Sequence, residues 1–349
     1  MNREIIILID KLAKNNSLTK EEYYKLLLDM GSDEAKYLAE KAREIREMYY
    51  DKKVFIRGLI EISNICKNDC HYCGIRRGNL KCERYRLSKE DILECCREGY
   101  ELGFRTFVMQ GGEDAYFTDD ILVDIITEIK KNWPDCAVTL SLGERSRESY
   151  KRLHEAGADR YLLRHETANK EHYSRLHPKE LIWENRMTCL KWLRETGFQV
   201  GCGFMVGSPY QTKEMLADEL KFIEEFKPDM CGIGPFIPHK DTIYKDEKPG
   251  DVALTCILLS LIRLIHPRIL LPATTALGTM SEDGRERGIL AGANVVMPNL
   301  SPASVRKKYM LYDNKLSDGD ESAQAIKSLE ERIKSVGYNI VVARGDVIR

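Results

Sequence analysis

From residue 54 onward the chain alternates between two hydrophobic patterns. Short β-rich or apolar runs fall at 55–63, 106–110, 137–142, 160–164, 200–205, 230–234, 269–272 and 294–297, with amphipathic stretches between them. Runs this short, bounded by turn residues, predict strands. The stretches between them carry helix start signals: Ser88 ahead of Ile92 and Leu93, Asp120 ahead of Ile121 and Val123, and Thr212 ahead of Met215 and Leu216. Gly103, Gly157 and Gly197 close three of these stretches, where the residue after a helix favours a left-handed backbone. Eight strand–helix units over about 250 residues predict an α/β fold, a (β/α)8 TIM barrel that is complete or nearly so. A doubly wound open sheet is the alternative, but no G-x-G-x-x-G follows the first strand.

The ends read differently. Within 1–50, Thr19 and Glu22 have capping-box spacing ahead of Tyr24, Leu26 and Leu27, and Ser32 is placed to cap a helix through Leu38, Ala42 and Ile45. This predicts a helical layer over one end of the barrel. The stretch 323–336 reads as a polar helix and 340–342 as a strand-like tail. The expected organisation is an N-terminal helical extension (1–50), a barrel (51–315) and a C-terminal extension packed on it (316–349).

Charge narrows the function. There are 54 Lys and Arg against 55 Asp and Glu, a net charge of -1. That argues against a general nucleic-acid binder, which carries a basic excess, and gives no support to a polybasic membrane anchor. The longest uncharged apolar run, 252–262, is too short to span a bilayer. The N-terminus has no cleavable signal pattern and meets charges again at Asp10 and Lys11, so the expected location is cytoplasmic. Eleven cysteines in such a chain point to a metal or cluster site rather than a disulfide framework.

Their spacing carries the chemistry. Cys66-Lys67-Asn68-Asp69-Cys70-His71-Tyr72-Cys73 is C-x3-C-x2-C, directly after the first strand. Three thiolates on one loop hold three irons of a cubane cluster and leave the fourth open to a ligand. A closed zinc site is the alternative; it needs four ligands, and His71 or Cys82 is available as the fourth. A barrel's first βα loop belongs to the catalytic face. Of the other cysteines, Cys136, Cys189 and Cys256 read as small apolar fillers and Cys95-Cys96 as one core and one surface residue. Cys202 and Cys231, on strands, are placed to point inward.

The loop, with an aromatic before its last cysteine, resembles the signature of the radical S-adenosylmethionine (SAM) superfamily. The resemblance implies one 4Fe–4S cluster on Cys66, Cys70 and Cys73. Its open iron would chelate the amino and carboxylate groups of SAM, and one electron would release a 5′-deoxyadenosyl radical. Further residues take SAM-binding roles by the same resemblance. Tyr72 lies beside the cluster. Gly112 and Glu113, in Gly111-Gly112-Glu113, would hold the SAM ammonium. Glu166 would accept from the ribose hydroxyls and Arg186 would pair with the carboxylate. Ser141, Arg164 and Met205 would line the site, and Ile233 would pack on the adenine.

Several loops resemble one branch, the HydE family of FeFe-hydrogenase maturases in the biotin synthase-like group: 138–144, 161–169, 232–238, 272–276 and 293–298. The resemblance runs from about residue 20 to the end. It implies a role in assembling the diiron subcluster of the hydrogenase, on an iron carbonyl–cyanide complex bearing cysteine supplied by a partner maturase. Other maturases and a reductant such as ferredoxin or flavodoxin would be partners. Thr139, Arg160, Met230, Thr274, Thr275, Tyr309 and Tyr312 are the expected substrate-site residues, hydroxyls and a guanidinium among apolar walls. Many relatives in that family carry a C-terminal cysteine trio for a second cluster. No cysteine follows Cys256 here, so a single cluster is expected. Two other readings stay open: a radical SAM enzyme acting on a small organic substrate, of the methylornithine or biotin synthase type, and a zinc or iron–sulfur binding module with no reaction of its own.

Overall fold

The computed structural model describes residues 2–317 and 319–349. Three helices come first: α1 (Arg3–Asn15), α2 (Lys20–Asp29) and α3 (Ser32–Tyr50). Thr19 and Glu22 form the expected capping box, each side chain accepting from the other's amide, at 3.2 and 2.9 Å. Ser32 is the first helical residue of α3, with Gly31 in the cap position.

The parallel strands follow in order: β1 (Lys53–Ile56), β2 (Gly58–Ser63), β3 (Thr106–Gly111), β4 (Ala137–Ser141), β5 (Arg160–Leu162), β6 (Gln199–Cys202), β7 (Met205–Val206), β8 (Met230–Cys231), β9 (Gly234–Pro235), β10 (Val295–Val296) and β11 (Asn339–Val341). Between them run α4 (Lys89–Glu101), α5 (Asp119–Asn132), α6 (Arg147–Glu155), α7 (Lys170–Leu176), α8 (Trp183–Glu195), α9 (Lys213–Phe226), α10 (Val252–Ile265), α11 (Thr275–Met280), α12 (Gly284–Leu290), α13 (Ala303–Arg306) and α14 (Ile326–Ser335). Thr118, not Asp120, caps α5, its hydroxyl accepting from the Ile121 amide.

β2-β3-β4-β5-β6-β8 is one continuous parallel ladder, and β10-β1-β11 is another. Single bridges join them: Met230 with Leu270, Pro272 with Val295, and Leu59 with Asn299. The circuit is therefore a barrel of eight staves whose seventh, at 270–272, pairs through isolated bridges only. Pro272 has no amide to extend its ladder. The expected strand 55–63 is two strands that change partner at Arg57, β1 pairing with β10 and β2 with β3. The expected strands 200–205 and 230–234 each break at a glycine. A Cβ on Gly203 would stand 2.1 Å from the Gly232 carbonyl, so the two backbones cross too closely for a side chain.

α2 packs along α9 and α3 along α10. Tyr23 donates to Glu224 at 2.7 Å, and the Asn16 amide group donates to the Leu264 carbonyl at 2.6 Å. The N-terminal helices thus cover the outside of the barrel rather than closing an end. This accounts for the apolar run 252–262. It lies in α10, which is buried against the barrel on one side and α3 on the other. Among the described residues no helix is long and apolar enough to cross a membrane.

The element that crosses the N-terminal end of the barrel is the chain's last segment. The Arg344 carbonyl accepts from Thr106 Oγ1 (2.8 Å) and Arg160 Nη2 (2.9 Å), and the Gly345 carbonyl accepts from Arg57 Nη2 (3.4 Å). Ala343 and Val347 pack against the cluster of Phe55, Met230, Leu270 and Val295. The expected helix 323–336 begins only at Ile326, after a 3-10 turn.

Candidate active site

The cysteine loop leaves the C-terminal end of β2 and is locked by its own sequence. Arg84 reaches four carbonyls: Nη1 donates to Asn64 (2.6 Å) and Ile75 (2.7 Å), Nη2 to Arg76 (2.6 Å) and Asn79 (3.2 Å). Asp69 Oδ1 accepts from Arg76 Nη1 and the Gly78 amide, both at 2.8 Å. Asn64 Nδ2 donates to the carbonyls of Glu83 and Lys308. The Gly111-Gly112-Glu113 turn of β3 sits directly beneath. The Glu113 amide donates to Cys66 Sγ at 3.4 Å, and the Glu113 carbonyl accepts from the Lys67 amide at 3.0 Å. A Cβ on Gly112 would lie 2.3 Å from the Ile65 carbonyl oxygen and 2.8 Å from Cys66 Cβ. Gly112 is therefore required by contact with the cysteine loop itself, where the sequence reading assigned it to a ligand.

Cys66, Cys70 and Cys73 are each half-buried and unpaired. Burial pushes the Cys66 thiol up, and burial together with the neighbouring Cys73 pushes Cys70 well up; burial takes Cys73 to about 12. Thiolates here need a cation to stay ionised. Among the described residues, neither His71 nor Cys82 is gathered with the three cysteines into a closed four-ligand set. His71 Nδ1 is bonded to the Arg175 carbonyl (3.0 Å), Cys82 Sγ accepts from Asn64, and among the described residues no three His, Cys, Asp or Glu converge as a single-ion site.

Cys73 and Tyr72 line the mouth of a cavity of about 320 Å³ that runs down the barrel axis. Inward residues alternate along each strand. Glu61, Gln110 and Ser141 are in register as one layer, with Leu59, Val108 and Thr139 below and Arg57 beneath them. Of the expected SAM residues, Tyr72, Ser141, Arg164, Glu166 and Met205 line the cavity. Glu166 has a left-handed backbone, φ 65°, and is held there by its amide donating to the Gly203 carbonyl at 3.0 Å. Arg164 Nε approaches Glu166 Oε1 at 3.3 Å without hydrogen-bond alignment. Arg164 Nη2, Glu166 Oε2 and Thr139 Oγ1 are buried with no partner. Such groups cost about 1–3 kcal/mol each until a ligand satisfies them. Together with three thiols lacking a fourth, they fit a cluster and a polar molecule bound beside it.

Glu113 and Arg186 stand behind this wall. Glu113 Oε1 accepts from the Glu144 amide (3.1 Å), and Lys67 Nζ lies 3.1 Å from Oε2. Arg186 is a buried ion-pair partner of Glu144 at 2.6 Å and donates to the Arg164 carbonyl. Burial opposes its charge, but Tyr173 and Glu144 outweigh that and hold it well above the ordinary arginine value. Ile233 is in the core. Its glycine neighbours Gly232 and Gly234 line the cavity instead, and its carbonyl accepts from Thr274 Oγ1 at 3.3 Å.

Of the expected substrate residues, Thr139, Met230, Thr274, Thr275, Tyr309 and Tyr312 line the cavity; Arg160 does not. Its guanidinium turns down to the tail, pairing with Asp346 and donating to Thr106 Oγ1 at 3.0 Å. The Asp346 carboxylate and the Arg344 carbonyl of the tail satisfy it there. The guanidinium on the cavity floor is Arg57, whose Nη1 meets the Met230 sulfur at 2.9 Å. Cys202 and Cys231 face each other in register, fully buried and outside the cavity lining; Cys95 and Cys96 are both buried.

Sequence reading also missed Glu61, Gln110 and Lys315. Lys315 Nζ pairs with Glu61 Oε1 at 2.8 Å, and Glu61 Oε2 accepts from Asn299 Nδ2 at 2.9 Å, all buried. Gln110 Nε2 donates to the Tyr309 hydroxyl at 3.3 Å. A signal for Arg57 and Glu61 existed: both are charged residues at alternate positions of an otherwise apolar strand. Lys315 lies in irregular chain and gave none.

Comparison with known proteins agrees with this geometry. Residues 60–223 match the model of the radical SAM superfamily. The chain is 44% identical over 335 residues to the [FeFe] hydrogenase maturase subunit HydE of Thermotoga maritima, covering 96% of this chain and 94% of that protein. It is 27% identical to 3-methylornithine synthase of Methanosarcina acetivorans, over 94% and 92% of the two chains. The crystal structure of methylornithine synthase (PylB) superposes with a TM-score of 0.83 at 26% identity, covering 96% of this chain and 97% of that one.

Proposed function

The chain belongs to the radical SAM superfamily and, within it, to the family of the hydrogenase maturase subunit HydE, and from that premise we propose that it builds part of the FeFe-hydrogenase diiron subcluster. The substrate in this reading is an iron carbonyl–cyanide complex carrying cysteine, delivered by a partner maturase. The 4Fe–4S cluster and SAM together supply a 5′-deoxyadenosyl radical when bound. Everything else falls to the chain's own residues. Cys66, Cys70 and Cys73 hold the cluster. Glu166 and Arg164 offer SAM an acceptor and a donor that nothing else in the protein uses. Glu113 braces the cysteine loop from below through Cys66 and Lys67. Arg186 fixes the Arg164 backbone, so its part is to position that wall.

Below, the chamber suits a small, anionic, polar complex held away from water. Met205, Met230, Leu59, Val108, Leu162 and Met297 form apolar walls. Water exclusion protects a radical and strengthens every polar contact inside. Thr139, Thr274 and Thr275 offer hydroxyls, Lys315 and Arg57 offer cationic donors, and Tyr309 and Tyr312 close the side.

The observation that carries the reading is the near-full-length likeness to a hydrogenase maturase, over a cavity continuous from Cys73 to Arg57. Complementation tests it. In a hydrogenase-making host lacking its own copy of this gene, the chain restores hydrogenase activity and Cys70→Ala does not. Restored SAM cleavage without restored hydrogenase would point instead to a small organic substrate. No SAM cleavage by the anaerobic, iron-loaded protein would remove the enzyme altogether.

A further inference from the structure

Cleaving SAM reductively consumes one electron, and that electron enters from outside the chain. Resting on the proposed reaction, we propose that the turn 76–82, with the neighbouring turn 239–243, is the docking site of a small protein electron carrier with an acidic face. Leu80, at the tip of the first turn, is 94% exposed, and Ile243 on the second is 66% exposed. Leu80 is not a loose end. Beside it, Asn79 Nδ2 donates to the Gly74 carbonyl at 2.7 Å, Asn79 Oδ1 accepts from the Lys81 amide at 3.1 Å, and Arg84 holds the Asn79 carbonyl. Leu80 and Ile243, on two turns held side by side, form a small exposed apolar patch rimmed by polar groups, the form of an interaction site.

Basic side chains outnumber acidic ones around that patch. Residues 66–84 hold five basic side chains (Lys67, Arg76, Arg77, Lys81, Arg84) against two acidic ones (Asp69, Glu83), in a chain whose net charge is -1. Ion pairs take up most of these charges: Asp69 with Arg76, Asp241 with Lys81 at 2.8 Å, Glu83 with Lys308, and Lys67 with Glu113. Arg77 and Lys240 are exposed with no carboxylate partner among the described residues. The Lys81–Asp241 pair, with Arg76 donating to the Asp241 carbonyl, sets the two turns side by side. The patch lies against the cysteine loop. The Arg77 amide donates to the Asn68 carbonyl and the Gly78 amide to Asp69, both at 2.8 Å. Leu80 is two residues further on, a reach of at most about 7 Å. Cationic residues around an apolar knob steer and orient an acidic partner, and their effect falls with salt.

The test compares two reductants on the iron-loaded enzyme. Leu80→Glu and the double variant Arg77→Glu/Lys81→Glu are assayed for 5′-deoxyadenosine with dithionite and with a reduced acidic ferredoxin. Binding of that ferredoxin to the immobilised protein is measured separately by interferometry. The expected result is an unchanged dithionite rate, a ferredoxin-driven rate at least tenfold lower, matching loss of binding, and a wild-type ferredoxin rate that falls at high salt. Unchanged ferredoxin rate and binding overturn the proposal, as does a wild-type dimer that Leu80→Glu converts to monomer. If the variants lose iron, Lys240→Glu/Ile243→Asp, outside the cysteine loop, takes their place with the same criteria. Because dithionite-driven cleavage and hydrogenase complementation are read independently, failure of the docking site leaves the proposed function standing.

Discussion

Glu166 holds a backbone conformation that costs a non-glycine residue about 1 kcal/mol or more, and its Oε2 atom is buried without a partner. Strain and an unmet acceptor in one residue mean that the fold supports Glu166 for something it does not itself contain. Glu166→Gln keeps the shape and removes the charge. SAM binding is expected to weaken roughly tenfold to a hundredfold, as for loss of one hydrogen bond to a charged group of ~1.5–3 kcal/mol. Iron content and thermal stability stay the same; calorimetric titration and a melting curve check both. His177 makes the opposite kind of contribution, to stability rather than binding. Its Nδ1–H donates to the Tyr173 carbonyl at 2.9 Å, and its Nε2 faces the Tyr72 hydroxyl at 3.4 Å. Burial, helped by the nearby Arg186, pushes it down to about 3. The unfolded chain takes up that proton near pH 6.5. Its contribution is therefore complete above pH 6.5 and is lost as pH falls from there towards 3, at no more than ~1.4 kcal/mol per pH unit. Urea unfolding between pH 4.5 and 7.5 should show a shallower acid limb in His177→Gln than in the native sequence.

At the scale of elements, the cysteine loop and the β3 turn form one piece. Gly112→Ala forces a methyl group against the Ile65 carbonyl and Cys66 Cβ, both belonging to the loop. Displacing Cys66 should cut iron incorporation severely while the barrel melts normally, since the strain falls on the loop and not on the ladder; iron analysis with far-UV melting tests this. Much of this level was legible in the chain itself. The strand runs on the continuous ladder, the capping pairs at Thr19 and Ser88, and the cysteine spacing are local patterns, and local patterns survive folding. What was hidden depends on distant partners. β1 and β2 read as a single strand because only the change of partner at Arg57 divides them. Arg160 looked like a cavity residue because its inward strand position is visible, whereas the Asp346 that draws its guanidinium away lies 186 residues on. Lys315 reaches the cavity from an irregular segment with no periodicity to announce it.

Taken whole, the molecule is a barrel with one end stoppered by its own last residues. Asp346 is held well below the ordinary carboxylate range; burial opposes this, but Arg344 and Arg160 outweigh it. Truncation after Ala343 takes the part-exposed Asp346 carboxylate and the Arg344 carbonyl away from Arg160, a loss of about 1.5–3 kcal/mol for hydrogen bonds to a charged group. The melting temperature should fall by several degrees while the cysteine loop still takes up iron. The stopper has a kinetic corollary. With that end covered, the deep occupant enters past Cys73 and Glu166 before SAM settles across the neck, and whatever is made below waits for the neck to clear. Turnover should follow a compulsory order, with SAM adding second, and saturating SAM should slow capture of the proposed organometallic substrate. Rapid-mixing experiments with the two ligands added in either sequence would show it, and equal rates from both orders would mean that the floor opens.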